Sequence, residues 1–361
     1  MKLNISPQNL RKRLRSSTLV SNLYYGLHID DLPVVLGLKT YNNSIVEAIE
    51  KYLPNVTEKE RVIIKKDIKR CYLKYKISPT EYFLFNFKSL SPNQRSEYLS
   101  DKTIYMTMGK IVGRKLHDKQ LEDKYNFYQI AQKYFYRKAL LIASANDYKV
   151  FEDFVTETHD VIIKPNTSAC GNGIRVEHIH NRNEAMMVFS DIIKKGNSWI
   201  VEELIRQSDE MASWNQTSVN TIRISSFLNE KGFFILCPFI RTGRRGAVVD
   251  NGGQGGLYAA VDAKTGLIIT NGKDELCNVY KEHPDSHIIY KGWQVPQWDK
   301  LVLLTEKVHS LFPKHRYVGW DFAHTKEGWV LIEGNWGEFI AQQSTMGKGY
   351  KKEFLDLLLE K

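Results

Sequence analysis

The chain has 361 residues, of which 42% are hydrophobic and 25% are charged. This balance is typical of globular proteins and excludes disordered, collagen-like and low-complexity classes. A run of about 18 apolar residues that could cross a membrane is missing, the first residues lack the apolar core of a secretory signal, and the four cysteines are widely spaced. We therefore expect reduced thiols and a cytoplasmic protein. The net charge of +10 favours anionic partners without identifying them.

The first part of the sequence predicts helices. Apolar residues recur at intervals of three and four over 44–52 and 59–75. Ser78 and Ser91 are each followed by proline, which is typical of a helix start. The basic segment 9–15 is interpreted as a solvated helix face, and docking to an anionic membrane or polymer is the alternative.

Short β-rich runs alternate with helical stretches and glycine turns from about residue 103 onward. The runs are 161–163, 199–201, 221–224, 233–236, 317–322 and 329–333. This alternation indicates an α+β organisation. We predict a mainly helical N-terminal region over 1–115 and an α+β domain over 116–361.

Two strands near the C-terminus, 317–323 and 329–335, flank a polar turn and predict a β-hairpin. Glu333 and Asn335 are two residues apart and share a face of one strand, and Asp321 lies on the partner strand within cross-strand reach. Oxygen ligands of this kind suit Mg²⁺. A solvated hairpin with scattered acids is the alternative, but unpaired carboxylates among apolar neighbours are costly.

A lysine and a glycine-bearing loop follow the strand 161–163. Lys164 and the free backbone N–H groups of 166–173 could cover phosphates, although a plain β-turn would also explain the glycines. The loop matches neither GxxxxGK[ST] nor GxGxxG before a helix, which excludes the Walker and Rossmann interpretations. Cys170 in this loop is interpreted as a packing residue rather than a nucleophile.

Charged side chains mark the ends of other strands. Glu202 and Glu203 are surface acids or, in a nucleotide site, acceptors for the adenine amino group and ribose hydroxyls. Strand alternation puts Arg223 on one face with Thr221, where it needs phosphate or a core carboxylate as partner. Arg241 precedes a glycine-rich run and either clamps a transferring phosphoryl group or belongs to a solvated turn.

Taken in order, these segments resemble the ATP-grasp proteins, in particular those encoded with bacterial capsule and teichuronic-acid-type polysaccharide genes. The resemblance spans roughly residues 75 to 345. The segments that carry it are 77–85, 123–124, 163–165, 201–203, 218–223, 250–251 with 255–256, 319–321 and 333–335. It implies an ATP-grasp fold in which two α+β lobes clamp ATP: 116–205 with the lysines and glycine loop, and 206–361 with the metal site.

The resemblance also implies roles for individual residues. The expected ATP-binding residues are Lys124, Lys164, Ser168, Gly171, Gly173, Glu202, Glu203, Leu204 and Asp209. The expected ligands of one or two Mg²⁺ ions, with Mn²⁺ as a substitute, are Asp321, Glu333 and Asn335. The residues expected on the phosphoryl-transfer or acceptor side are Asn220, Arg223 and Arg241. Gly334 departs from the family pattern, in which an apolar residue stands between the acid and the amide.

The implied activity is that of a ligase. ATP would activate a small-molecule or glycan carboxylate as an acyl phosphate, which an amine or another nucleophile attacks, in cell-surface polysaccharide biosynthesis. A kinase acting on a sugar or polyol is the first alternative, and a basic polymer-binding protein is the second. We expect no nucleic-acid partner, and peripheral contact with an anionic membrane or lipid-linked glycan stays open.

Overall fold

The computed structural model describes residues 39–167, 173–247 and 249–360. The basic segment 9–15 lies outside this description. The first part of the described chain is helical, with α1 Lys39–Tyr52, α2 Glu58–Tyr75, α3 Pro79–Leu84, α4 Pro92–Ser96, α5 Asp101–Ile111, α6 Arg114–His117 and α7 Lys124–Ala131.

The two predicted Ser-Pro helix starts are confirmed. The Ser78 hydroxyl accepts from the backbone N–H of Glu81, whose carboxylate accepts from the Ser78 N–H in return. Ser91 and Gln94 form the same reciprocal pair at the start of α4. Each pair satisfies two donors that a helix end would leave without partners.

Helices continue to Tyr134, well past the point where the sequence texture changes. Phe127 and Tyr128 lie one helical turn from Ala131 and are buried on one side of α7. The Phe127 ring stacks on Phe312 with centroids 5.5 Å apart. Phe127 and Tyr128 are therefore core residues and do not form an exposed face.

The first sheet has four strands in the order β1-β4-β2-β3, with every pair antiparallel. The strands are β1 Ala139–Ile142, β2 Asp160–Pro165, β3 Arg175–His178 and β4 Trp199–Glu203. Helices α8 Tyr148–Thr158 and α9 Arg182–Lys194 cover it through a shared apolar core that includes Phe151, Val161 and Ile192.

The second sheet has seven strands in the order β11-β10-β5-β6-β7-β8-β9, again antiparallel throughout. The strands are β5 Thr221–Asn229, β6 Gly232–Thr242, β7 Leu257–Ala260, β8 Gly272–Lys273, β9 Val279–Tyr280, β10 Tyr317–Thr325 and β11 Gly328–Asn335. The remaining α-helices of the described residues are α10 Asp209–Ala212, α11 Trp298–His309, α12 Ile340–Met346 and α13 Lys351–Leu359. Thr325 pairs with Gly328, so the predicted C-terminal hairpin is confirmed.

The largest apolar core joins the helical region to both sheets. Phe127 of α7, Ile200 of the first sheet and Trp320 of the second sheet belong to it. A separate core holds the N-terminal helices together around Ile49, Ile68 and other residues of α1 to α3. Of the helices in the described ranges, not one combines the length and the apolar character that a membrane crossing requires.

Candidate nucleotide and metal site

Three charged side chains form a row across the second sheet. Asp321 on β10 pairs in register with Glu333 on β11 and with Arg223 on β5. Residues directly opposite one another on neighbouring strands project from the same face of a sheet. Asn335, two residues beyond Glu333, lies on that face too, and its Nδ2 donates to Glu333 Oε1 at 3.2 Å. The structure thus brings the three predicted metal ligands together.

Two arginines hold the Asp321 carboxylate. Arg223 donates to both of its oxygens through Nε and Nη2, and Arg241 Nη2 donates to Oδ2 at 2.7 Å. Burial raises the pKa of Asp321, but the two guanidinium groups outweigh burial and hold that pKa at about 2. Asp321 is therefore anionic at neutral pH, although it is only 1% exposed.

The neighbouring carboxyl of Glu333 has the opposite tendency. Burial raises its pKa, and so does the negative charge of Asp321. Arg223 and Lys124 lower the pKa in part. Two carboxyl groups side by side in a buried setting favour a shared cation, because ionising the second one is unfavourable until positive charge is added.

Asp250 completes the support of Arg241. Its carboxylate accepts from Thr221 Oγ1 at 2.5 Å and lies 3.5 Å from Arg241 Nε. Burial raises the pKa of Asp250, and Arg241 lowers it in part. The chain folds tightly here, since a Cβ at Gly256 would stand 2.1 Å from the Asp250 carbonyl oxygen. This glycine is needed so that the loop can place Asp250 against the arginine.

The second group of charges centres on Glu202 of the first sheet. Lys164 Nζ lies 2.6 Å from Oε1, and Arg137 Nη2 donates to Oε2 at 2.6 Å. Burial raises the pKa of Glu202, but Lys164 and Arg137 bring it down to about 2. Arg137 also donates through Nη1 to the carbonyl oxygen of Leu331 on β11, at 2.7 Å. One guanidinium thereby bridges the two sheets.

Lys124 stands between the two groups of charges. Burial lowers the pKa of Lys124 overall. Lys164 lowers it further, while Glu333 and Glu202 raise it in part, so the Lys124 amino group is within electrostatic reach of these three side chains. The backbone is fixed by Asn166, whose carbonyl accepts from the Lys124 N–H at 3.1 Å. The start of α7 is therefore tied to the loop that follows Lys164.

The predicted phosphate loop is described in part. Ser168 and Gly171 lie outside the described residues, as does Cys170. Gly173 has a φ of +78°, and a Cβ there would meet Pro165 Cγ at 2.9 Å. Glycine is thus required where the chain leaves the loop and passes over the end of β2.

The residues predicted to bind the nucleoside lie at the end of β4 and after it. Glu203 accepts from the Lys138 N–H at 2.6 Å, and the Leu204 N–H donates to the Asp160 carbonyl at 3.2 Å. Asp209 is exposed at the first position of α10. Their roles toward adenine and ribose stay predictions.

The structure does not bring Asn220 into the charged row. It is fully buried, and its Nδ2 donates to the Met211 and Asn215 carbonyls at 2.8 Å each. Its Oδ1 accepts from the Gly243 N–H at 3.0 Å. Asn220 directly precedes β5, and strand alternation points its side chain to the face of the sheet opposite the one that carries Arg223. Its amide therefore supports the turns around β5.

Three further residues belong to the site and were missed from the sequence. Arg137 belongs to no motif of the sequence. Glu338 lies 3.1 Å from Arg223 Nη1, and its left-handed φ of 60° is not visible in sequence. Asp101 Oδ1 accepts from the Phe339 N–H, next to Glu338, at 3.0 Å, and burial and the neighbouring Glu81 raise the pKa of Asp101.

The donor set fits a divalent cation and a triphosphate. No group of three or more histidine, cysteine or acidic side chains within the described ranges is arranged to hold a metal by itself. The row instead offers two carboxylates and one amide, which suits Mg²⁺ because this ion commonly takes its remaining ligands from water and substrate phosphates. Lys124, Lys164, Arg223 and Arg241 supply the positive charge that phosphates need.

Residues 110–354 match the family model described as sugar-transfer associated ATP-grasp. The chain is therefore an ATP-grasp protein, and it belongs to the sugar-transfer associated ATP-grasp family. The predicted family and fold class are confirmed. No curated protein sequence matches the chain.

Solved structures with similar folds include D-alanyl-alanine synthetase A from Vibrio cholerae O1 biovar eltor str. N16961, at 11% identity and a TM-score of 0.42, covering 68% of this chain and 65% of that one. VanG D-Ala:D-Ser ligase from Enterococcus faecalis has 12% identity and a TM-score of 0.43, and the match covers 68% of this chain and 62% of the ligase. The ATP-grasp ligase PsnB, complexed with minimal precursor, Mg and ADP, has 11% identity and a TM-score of 0.42, and the match covers 76% of this chain and 70% of PsnB. This chain thus matches only about two-thirds of the length of each of these proteins.

Proposed function

We propose that this protein is an ATP- and Mg²⁺-dependent ligase that activates a carboxylate for attack by an amine or another nucleophile. The observation that carries the proposal is the row of Glu333, Asp321 and Arg223, with Arg241 on the same carboxylate and Lys124 within electrostatic reach. Cell-surface polysaccharide biosynthesis is the proposed setting, and the sugar-transfer description of the family supports it.

ATP would bind between the two groups of charges. Lys124 and Lys164 would contact the phosphates, with the 166–173 loop over them, while 202–204 and Asp209 would bind the nucleoside. Lys164 is paired with Glu202 at 2.6 Å, so phosphate binding would exchange one anionic partner of this lysine for another. Arg137 would keep Glu202 neutralised during the exchange, which lowers the cost of releasing the lysine.

Asp321, Glu333 and Asn335 would hold the magnesium, and the same oxygen donors would accept Mn²⁺. A bound ion neutralises negative charge on the β- and γ-phosphate oxygens and fixes their orientation. Arg223 and Arg241 already share the Asp321 carboxylate, which keeps this ligand anionic and its orientation fixed.

In the proposed reaction a substrate carboxylate attacks the γ-phosphorus, the bond to the β-γ bridging oxygen breaks, and ADP leaves. The nucleophile then attacks the acyl carbon, inorganic phosphate leaves, and the nucleophile's proton passes to solvent. Such transfers need positioning and charge neutralisation more than covalent help from the protein. Arg223 and Arg241 would stabilise the charge that develops on the transferring group.

The test is ADP release in the presence of Mg²⁺ with paired libraries of carboxylates and amines. A ligase requires both substrates together and releases inorganic phosphate. Stable phosphorylation of a sugar or polyol hydroxyl without a carboxylate would instead identify a kinase. If ADP is released neither with any pair of carboxylate and amine nor with any hydroxyl acceptor, an enzymatic role is contradicted.

Glu333→Gln is the variant that tests the metal assignment. We expect a loss of turnover of roughly 100-fold or more, because several kcal/mol of charge stabilisation depends on the metal. Glu327→Gln is the matched control, since Glu327 is an exposed acid in the turn of the same hairpin. Full activity in Glu333→Gln, with thermal melting unchanged in both variants, would overturn the assignment.

A further inference from the structure

The solvent-facing side of α2 carries aliphatic and basic side chains that packing in the core does not explain. The inward side of this helix buries Ile64, Ile68, Cys71 and Tyr72. At about 100° between successive residues, the exposed acids Glu58 and Glu60 of the first turn lie to either side of a sector of roughly 120° opposite the core, and seven exposed side chains fall within this sector. They are Lys59, Val62, Ile63, Lys66, Arg70, Leu73 and Lys74, here called the α2 outer face.

Three aliphatic side chains on this face are open to solvent. Ile63 is 67% exposed, Leu73 is 46% exposed and Val62 is 44% exposed. A single exposed aliphatic residue needs no explanation, but Val62 and Ile63 stand together in one turn and Leu73 lies on the same side of the helix about three turns further on. Their burial against something other than the chain's own core would be favourable.

Four cations are interspersed with these aliphatic residues. In the part of the chain that the structure describes, Lys59, Lys66, Arg70 and Lys74 are in no ion pair with an acid. The acids of the helix have other partners. Glu60 closes the N-terminal capping box.

Asp67 and Glu58 likewise have hydrogen-bond or ion-pair partners outside the outer face, although the charge of Arg70 also acts on Asp67. Asp67 accepts from Arg95 and from the Tyr82 hydroxyl, at 2.9 and 2.8 Å. Glu58 lies 3.5 Å from Arg61 Nε. The α2 outer face therefore presents positive charge and aliphatic surface without an acid of its own.

We propose that the α2 outer face docks on an anionic membrane surface. Lysine and arginine side chains are attracted to anionic headgroups, while branched aliphatic side chains insert at the boundary between headgroups and acyl chains. Single-stranded nucleic acid is the less suitable partner, because its recognition uses aromatic side chains that stack on bases, and the seven positions include no aromatic residue. This surface is independent of the proposed catalytic residues.

The test is co-sedimentation with phosphatidylcholine vesicles, with and without phosphatidylglycerol. We expect the wild-type chain to bind only the vesicles that contain phosphatidylglycerol, and to release as salt is raised, because salt screens the headgroup charge. Lys66→Gln with Arg70→Gln should weaken binding by about 10- to 30-fold, since each cation near such a surface contributes roughly fivefold. The triple variant Val62→Asn, Ile63→Asn, Leu73→Asn should weaken it by at least as much.

The matched control is a pair of exposed methionines on α9. Met186 and Met187 are 49% and 72% exposed, and replacing both by asparagine should leave vesicle binding unchanged. ADP release in a vesicle-free assay should be the same in all variants. Unchanged binding in both α2 variants, or no binding of the wild type to either vesicle, would overturn the proposal. Binding to duplex DNA that falls with the charge variant alone, without vesicle binding, would assign the surface to an anionic polymer instead.

Discussion

Arg137 is the residue on which the two halves of the candidate site depend. It is one of two cations on the buried Glu202 carboxylate, and it also donates to Leu331 on the second sheet. Without it, the full attraction of Glu202 would fall on Lys164. The residue is thus expected to control how easily Lys164 becomes available to a phosphate.

Arg137→Met tests this role. We expect the free energy of unfolding to fall by about 3 kcal/mol, because a buried acid loses one of its partners, and ATP affinity to fall as well, because Lys164 is held more tightly. Chemical denaturation and nucleotide titration measure the two effects. Arg206→Met is the control, since Arg206 pairs with Asp160 while 83% exposed. Wild-type stability in Arg137→Met would contradict the assigned role.

Most of the charged row was predictable from the sequence, but the residues that support it were not. Asp321, Glu333 and Arg223 could be placed because strand alternation is local and has a fixed period of two. Arg137 and Glu338 could not, since their positions depend on contacts between residues 194 and 115 positions apart in the chain. Side-chain positions set within one strand or helix can thus be predicted from the sequence, whereas those set by contacts between distant elements cannot.

Among the elements, α12 joins the helical region to the second sheet. The Gln343 amide accepts from the Leu99 N–H at 2.8 Å and donates to the Leu99 carbonyl at 2.7 Å. Both groups are buried, so this side chain completes the hydrogen bonding of a backbone segment far away in sequence. Nothing in the local sequence around Gln343 indicated that partner.

Gln343→Leu should destabilise the protein. We expect a loss of about 2–4 kcal/mol, because the buried Leu99 N–H and carbonyl both lose their partner. Gln129→Leu on α7 is the control, since Gln129 is exposed. Denaturant unfolding measures the change. Equal stability of the two variants would show that water or another group replaces the amide.

Element types were predictable where caps and periodicity were strong. Ser78 and Ser91 marked two helix starts, and the hairpin around Gly328 followed from its turn. Residues 124–131 carry aromatic side chains, which suit a strand as well as a helix, so local propensity alone does not distinguish the two. Tertiary packing against Phe312 decides the outcome.

For the whole molecule, two buried anions link stability to acid. Glu202 and Asp321 both have pKa values of about 2, below the ordinary values of 4.5 and 3.8. Groups with depressed pKa values stabilise the folded state above their unfolded pKa, and this contribution is lost as pH falls through the folded pKa.

We therefore expect the free energy of unfolding to fall between about pH 4.5 and pH 2. Urea unfolding across this range measures it. Asp321→Asn should show a shallower dependence than the wild type, even if its stability at neutral pH is lower. A wild-type curve that stays flat across this window would contradict the assignment of both carboxylates as buried anions.

The bridge from Glu202 through Arg137 to the Leu331 carbonyl also has a mechanical meaning. Any motion that widens the gap between the two sheets must stretch this one side chain or detach an end of it. The separation of the two sheets is thus restrained by Arg137, a residue that has no need to touch the nucleotide. A shorter side chain at this position would release the restraint without changing a nucleotide contact.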